Sequence, residues 1–267
     1  MRACHPGPTL VVTAVGGALA AMVGRGVGGT LMVVAAVLTG QLSIGWSNDW
    51  IDRARDRATR RSDKPLAGGS VASRAVAVAA FAALALCVPL SLAAGVLAGV
   101  VHLVAVACGW LYNLRLKSSP VSPLPFAVAF GLLPAFVTLG LPGRPWPAWW
   151  ALVAGALLGM GAHFANVLPD IDDDVALGVR GLPHRLGPVT ARLGAAVLLV
   201  AASVVIALAP GDRGGAVSVA GLGAVALVLA AGLIGARRSV RRAAFGVMVA
   251  VAVIDVTMFV ARGGGLV

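Results

Sequence analysis

The chain has 267 residues, 59% of them hydrophobic and 12% charged, with a mean hydropathy of +0.95 and a formal net charge of +11. A soluble domain carries about twice that charged fraction, which excludes a soluble enzyme, a disordered tail and a disulfide scaffold. A spanning helix needs about 20 mostly apolar residues, so nine helices joined by short loops use nearly the whole chain and leave no room for a separate soluble domain.

Apolar runs bounded by charge, Pro or Gly predict helices near 9–24 and 27–47, the second running into a mixed acidic and basic segment that begins at Asn48. Arg2 and the following apolar run, with Ala18-Leu19-Ala20, also resemble a short signal peptide, but the run is expected to be an uncleaved first span. The next predicted helices cover 75–94 and 96–112 and lead into the basic loop Tyr112-Asn113-Leu114-Arg115-Leu116-Lys117. Two more, 122–141 and 148–168, precede a second acidic segment, and 189–209, 215–235 and 243–261 complete the set. With the N-terminus cytoplasmic, 17 of the 21 basic residues fall inside and four, Arg25, Arg144, Arg213 and Arg262, fall outside. That asymmetry orients a multi-pass protein in the cell membrane. It also accounts for the basic charge without nucleic acid, for which too little polar surface exists. Cys4, Cys87 and Cys108 show no C-x-x-C spacing and read as small buried hydrophobes, while the 35 Gly suit helices that approach closely at small residues.

The acids are concentrated. There is no Glu, and eight of the ten Asp lie in two predicted cytoplasmic segments, SNDWIDRARDRATRRSDKPLAGG and NVLPDIDDDVALGVRGLPHRLG. Asn48, Asp52 and Asp56 recur as Asn166, Asp170 and Asp174, each offset by 118 positions, and Pro65 recurs as Pro183. With three Asn and ten Asp in the chain, N-x-x-x-D-x-x-x-D is expected by chance about 0.004 times. Residues at i, i+4 and i+8 stack along one helix face, so each segment offers an amide and two carboxylates in a row, and Asp49 can join the first.

Two such rows are hard-oxygen ligand sets that repel themselves unless cations occupy them. An incomplete protein shell finished by phosphate oxygens describes Mg²⁺ rather than Zn²⁺ or Ca²⁺, with a diphosphate as the missing ligand. Arg60, Arg61, Lys64, Lys117, Arg180 and Arg185 are available to balance phosphate charge that the metal does not. Asp63, Asp172 and Asp173 stand off the repeated frame and read as solvated or supporting groups.

These residues resemble the UbiA superfamily of intramembrane prenyltransferases. Asn48, Asp49, Asp52 and Asp56 meet its first motif, N-D-x-x-D-x-x-x-D, and Asp170 and Asp174 meet its second, D-x-x-x-D. Gly178, Arg180, Leu182-Pro183 and Arg185-Leu186-Gly187 are similar to the loop that follows. The family's Tyr and nearby basic residue correspond to Tyr112 with either Arg115 or Lys117, because Leu116 occupies the Lys position of Y-x-x-x-K. The resemblance implies one all-α domain over residues 1–267, with nine transmembrane helices around a central cavity and the Asp motifs at its cytoplasmic mouth. It implies an Mg²⁺-dependent transferase in which Asp52, Asp56, Asp170 and Asp174 carry catalysis. Asn48, Asp49 and Asn166 would join them as metal ligands, and Lys64, Tyr112, Arg115, Lys117, Arg180 and Arg185 would bind a prenyl diphosphate donor. The second substrate is a small-molecule acceptor, expected to be aromatic from the breadth of the family.

Among polar residues within apolar runs, His102, His163 and Asp255 are functional candidates; His163 lies one turn before Asn166 and is a candidate to contact the acceptor or act as a base, whereas Asp255 has no motif partner and is expected to form an internal pair or hydrogen bond. Pro169 is expected to bias Leu168 away from helical geometry and bend the second row. A terpene cyclase of the same superfamily needs the same diphosphate site. The acid segments lack the leading D-G-x-x-A-R of CDP-alcohol phosphotransferases. A membrane transporter is disfavoured because the rows sit at span ends among arginines that repel cations.

Overall fold

The computed structural model describes residues 6–58, 72–210, 215–235 and 240–267. Lys64, with Arg60, Arg61 and Asp63, lies outside the described residues. The helices are α1 (Pro6–Met22), α2 (Gly26–Ala58), α3 (Ser73–Ala93), α4 (Val96–Leu114), α5 (Leu124–Thr138), α6 (Trp149–Val167), α7 (Ile171–Ala176), α8 (Leu182–Ala207), α9 (Gly215–Gly235) and α10 (Val240–Ala261). No strand occurs among the described residues. All except the short α7 correspond to the nine predicted spans. Segments of α2, α3, α4, α6 and α8 are long and apolar enough to cross a bilayer, and shorter apolar stretches lie in α1, α5, α9 and α10. Large apolar side chains such as Val27 in α2, Val197 in α8 and Leu227 in α9 are exposed, as lipid-facing residues must be. The protein is an all-α, multi-pass membrane protein.

Two compact units divide the chain: residues 1–115 with 136–145, and residues 116–135 with 146–267. In the first, α2 packs on α1, α3 and α4 around Leu19, Val33, Val37, Cys87 and Ala98. Arg25, in the α1–α2 turn, donates to Ala94 O at 2.9 Å and Val137 O at 3.3 Å, satisfying carbonyls at helix ends. In the second, α8 packs on α6, α9 and α10, and Trp150 meets Phe259 edge-on at 5.7 Å. Small residues bring α6 onto α5, where a Cβ at Gly155 or Gly159 would collide with the carbonyl of Phe130 or Phe126. Arg262 caps this unit as Arg25 caps the other, donating to Ser218 Oγ and to the carbonyls of Ala209 and Pro210.

Two predicted boundaries shift for reasons that matter to the site. The second helix was expected to end at 47, but α2 continues to Ala58 because a polar sequence without Pro or Gly is still good helix. The helix predicted from 189, α8, begins at Leu182 instead and kinks at Gly187, whose φ of 79° is open to glycine, immediately before Pro188.

Candidate active site

The first acid row lies on the continuous end of α2, so its i, i+4, i+8 spacing becomes a line along one helix face. Asp49 and Asp52 are 2% and 5% exposed, and Asp52 Oδ1 pairs with Arg55 Nη1 at 3.1 Å. The backbone of Asp56 continues the helix, while its side chain lies outside the described residues. Asn48 Nδ2 donates to Asn113 Oδ1 at 3.1 Å, and Asn113 Nδ2 donates to Ile44 O and to Ser47 Oγ, each at 2.9 Å. Because both donors of Asn113 are spent on α2, its oxygen must face Asn48, and that fixes which way the Asn48 amide points. Tyr112, beside Asn113 on α4, is half-buried, and Arg115 at the end of that helix is exposed.

The second row does not lie on one helix. Asn166 is exposed near the end of α6, residues Leu168–Asp170 tighten into a 3₁₀ turn, and Asp174 sits on α7. Pro169 has no N–H to continue the α-helical ladder and its ring opposes the carbonyl four residues back. Contrary to the expectation, Leu168 stays helical at φ −59°, ψ −38°, and the departure falls on Asp170 at φ −108°, ψ 7°. Asp170 is half-buried and Asp172 and Asp173 are exposed. Asp174 Oδ2 lies 3.2 Å from His184 Nε2, which comes from the first turn of α8.

A further junction in the second unit ties the loop after α4 to α6 and α8. The amide of Leu182 donates to Ser122 Oγ at 3.0 Å, and Ser122 Oγ lies 3.1 Å from His163 Nε2. The His163 ring stacks on Phe126 at a centroid distance of 4.6 Å and is 1% exposed. Lys117 stands on the 3₁₀ turn Leu116–Ser118, and its carbonyl is 2.7 Å from where a Cβ on Gly181 would lie. Arg180 and Arg185 are exposed, with Arg185 Nε donating to Arg180 O at 2.7 Å.

Asn113, Ser122 and His184 were not singled out in the sequence. Asn113 is the third Asn of a chain whose other two open the acid rows, and His184 is one of four His, lying within the second acid segment. Those rarities are the signals available. Ser122 offers none, since its partners lie 41 and 60 residues away.

The rows present carboxylate and amide oxygens with no thiol or imidazole at a motif position, a donor set suited to Mg²⁺ and not to Zn²⁺. Among the described residues no three His, Cys or acidic side chains converge on one point, so a cation at either row would complete its shell with other oxygens.

The chain belongs to the UbiA prenyltransferase family, whose sequence profile matches residues 9–260. It is 32% identical over 193 residues to the bacteriochlorophyll synthase 33 kDa chain of Cereibacter sphaeroides, covering 67% of this chain and 62% of that one. It is also 32% identical over 196 residues to a 4-hydroxybenzoate octaprenyltransferase of Cupriavidus metallidurans, covering 70% and 63%. The matches thus span about three fifths of the length of these curated relatives. Among solved structures, the fold is similar to that of a UbiA homolog from Archaeoglobus fulgidus bound to GPP and Mg²⁺, with TM-score 0.70, 18% identity and coverage of 97% and 96%.

Proposed function

We propose that this protein is an Mg²⁺-dependent intramembrane prenyltransferase that moves an isoprenoid chain from a prenyl diphosphate to a small, aromatic acceptor. The observation that carries this reading is the first row, where two carboxylates are buried three residues apart on the end of a spanning helix. Carboxylates are retained in such surroundings where cations offset them. Family membership and the oxygen-only donor set of the second row support the same assignment. The aromatic acceptor follows from the ring-bearing substrate in the name of the 4-hydroxybenzoate relative.

Asn48, Asp49, Asp52 and Asp56, and Asn166, Asp170 and Asp174, are the residues assigned to hold Mg²⁺ and, through it, the donor diphosphate. When bound, Mg²⁺ neutralises negative charge on the leaving diphosphate. Lys64, Tyr112, Lys117, Arg180 and Arg185 add donors to the same oxygens and stabilise charge as the allylic C–O bond breaks. Either of the two basic residues that follow Tyr112, Arg115 or Lys117, supplies a cation to the same diphosphate. His163 was a candidate acceptor contact or base. Its Nε2 is engaged by Ser122 Oγ and its ring is buried against Phe126, so we assign it to holding this junction rather than to proton abstraction. The isoprenoid tail lies in apolar surroundings, which is why the reaction needs a membrane protein. The skew of basic residues supports a cytoplasmic side for the N-terminus and both acid rows.

The test is diphosphate release from the detergent-purified protein, supplied with Mg²⁺ and prenyl diphosphates of several lengths, with and without pooled aromatic acceptors. Acceptor-dependent release that EDTA stops is the expected result. Release without acceptor, with a cyclic hydrocarbon as product, would move the assignment to a cyclase, and no Mg²⁺-dependent release with any donor and acceptor would contradict it.

A further inference from the structure

We propose that His184 is a positioning residue for the second acid row, setting the orientation of Asp174 before cation and diphosphate arrive. This role rests on the prenyl diphosphate reading above. The His184 side chain is 3% exposed, and its Nε2 stands 3.2 Å from Oδ2 of an Asp174 side chain that is 21% exposed. Its other nitrogen, Nδ1, is buried and has no hydrogen-bond partner among the described residues. A proton on Nδ1 would bury a donor without an acceptor and turn a lone pair of Nε2 towards a carboxylate. The neutral ring therefore carries its proton on Nε2 and donates it to Asp174.

The imidazole is also held in place. Leu182 N–H is bound by Ser122 Oγ, Arg185 N–H by Gly181 O at 3.1 Å, and Pro183 is buried, so the first turn of α8 is pinned around His184. A Cβ on Gly181 would lie 3.2 Å from His184 Nδ1 and 2.7 Å from Lys117 O, so the Gly181 backbone sits close against the ring and leaves no room there for a side chain.

The first row has no need of such a device, because a continuous helix sets its register. Asp174 instead lies on α7, a helix of six residues that follows the break at Pro169. A hydrogen bond from a rigid buried donor replaces the missing helical constraint and removes orientations of the carboxylate that would have to be lost on binding. Supporting donors of this kind are worth about 10–100-fold in metal affinity where they have been removed.

Mn²⁺ binding to the full-length protein in detergent, followed by electron paramagnetic resonance in the presence of geranyl diphosphate, reads this role without turnover. His184→Leu keeps the volume and removes the donor. His184→Asn keeps polarity but stops short of Asp174 and serves if the Leu variant does not fold, while His184→Gln carries an amide N–H to about the position of Nε2. Loss of the donor is expected to weaken Mn²⁺ binding about ten-fold, with His184→Gln near wild type. Unchanged binding in His184→Leu or His184→Asn, or an equal loss in His184→Gln, would overturn the positioning role. Wild-type protein that fails to bind Mn²⁺ with the diphosphate would overturn the underlying prenyl diphosphate reading instead.

Discussion

The two acid rows share residue types and spacing yet are built differently. Asn48, Asp52 and Asp56 ride on the uninterrupted end of α2, with Asp49 and Asp52 deeply buried. Asn166, Asp170 and Asp174 are distributed over the end of α6, a 3₁₀ turn and the six-residue α7, and are more open to solvent. A single Pro accounts for most of the contrast, since the second segment has Pro169 where the first has Ile51. Identical spacing therefore does not impose identical geometry, and each row is steadied in its own way: the first by helix continuity and Asn113, the second by His184.

If both rows hold metal and diphosphate, removing one carboxylate from either should be equally damaging despite the different backbones. Asp52→Ala and Asp170→Ala are each expected to lower diphosphate release about 10²–10³-fold, the scale of losing one preorganised charge-stabilising group. Membrane insertion, followed by protease protection of the loops, should be unchanged because no apolar packing is lost. Pro169→Ala restores a backbone donor and lets α6 run on, which should misplace the second row and cost on the order of ten-fold in turnover, with little effect on thermal stability. Wild-type turnover in that variant would break the link between the Pro and the geometry of the row.

Asn113→Ala acts on the first row alone. It removes the donors to Ile44 O and Ser47 Oγ and the acceptor for Asn48, and should cost about 1–3 kcal/mol of stability, measured by thermal unfolding in detergent. Arg55→Ala should have the smallest effect. The ion pair with Asp52 is made by a guanidinium that is 32% exposed, so its loss should change stability by less than about 1 kcal/mol and turnover by less than about three-fold.

Among the described residues, the nine helices other than α7 were legible because long apolar runs are among the strongest signals a sequence carries. The ends of α2 and α8 were less so, since hydropathy falls at the membrane surface while the helix does not have to stop there. Both rows were found by their spacing, and the bend in the second by Pro169, although the chain turns at Asp170 rather than at Leu168. What escaped were the residues that orient the rows. Asn113 meets Asn48 across 65 positions and Ser122 meets His163 across 41, and no local pattern encodes a pairing made by tertiary packing. His163 illustrates the limit from the other side: its place in an apolar run marked it as unusual, but only the fold supplies Ser122 as its partner.

The most direct test is equilibrium binding of a labelled, non-cleavable geranyl diphosphate analogue to the detergent-purified protein, with Mg²⁺ and then with EDTA, for wild type, Asp52→Ala and Asp170→Ala. Mg²⁺-dependent binding by the wild type that is lost in both variants is the predicted result. Binding that survives EDTA, or that persists in both variants, would contradict the assignment of the two rows to the diphosphate.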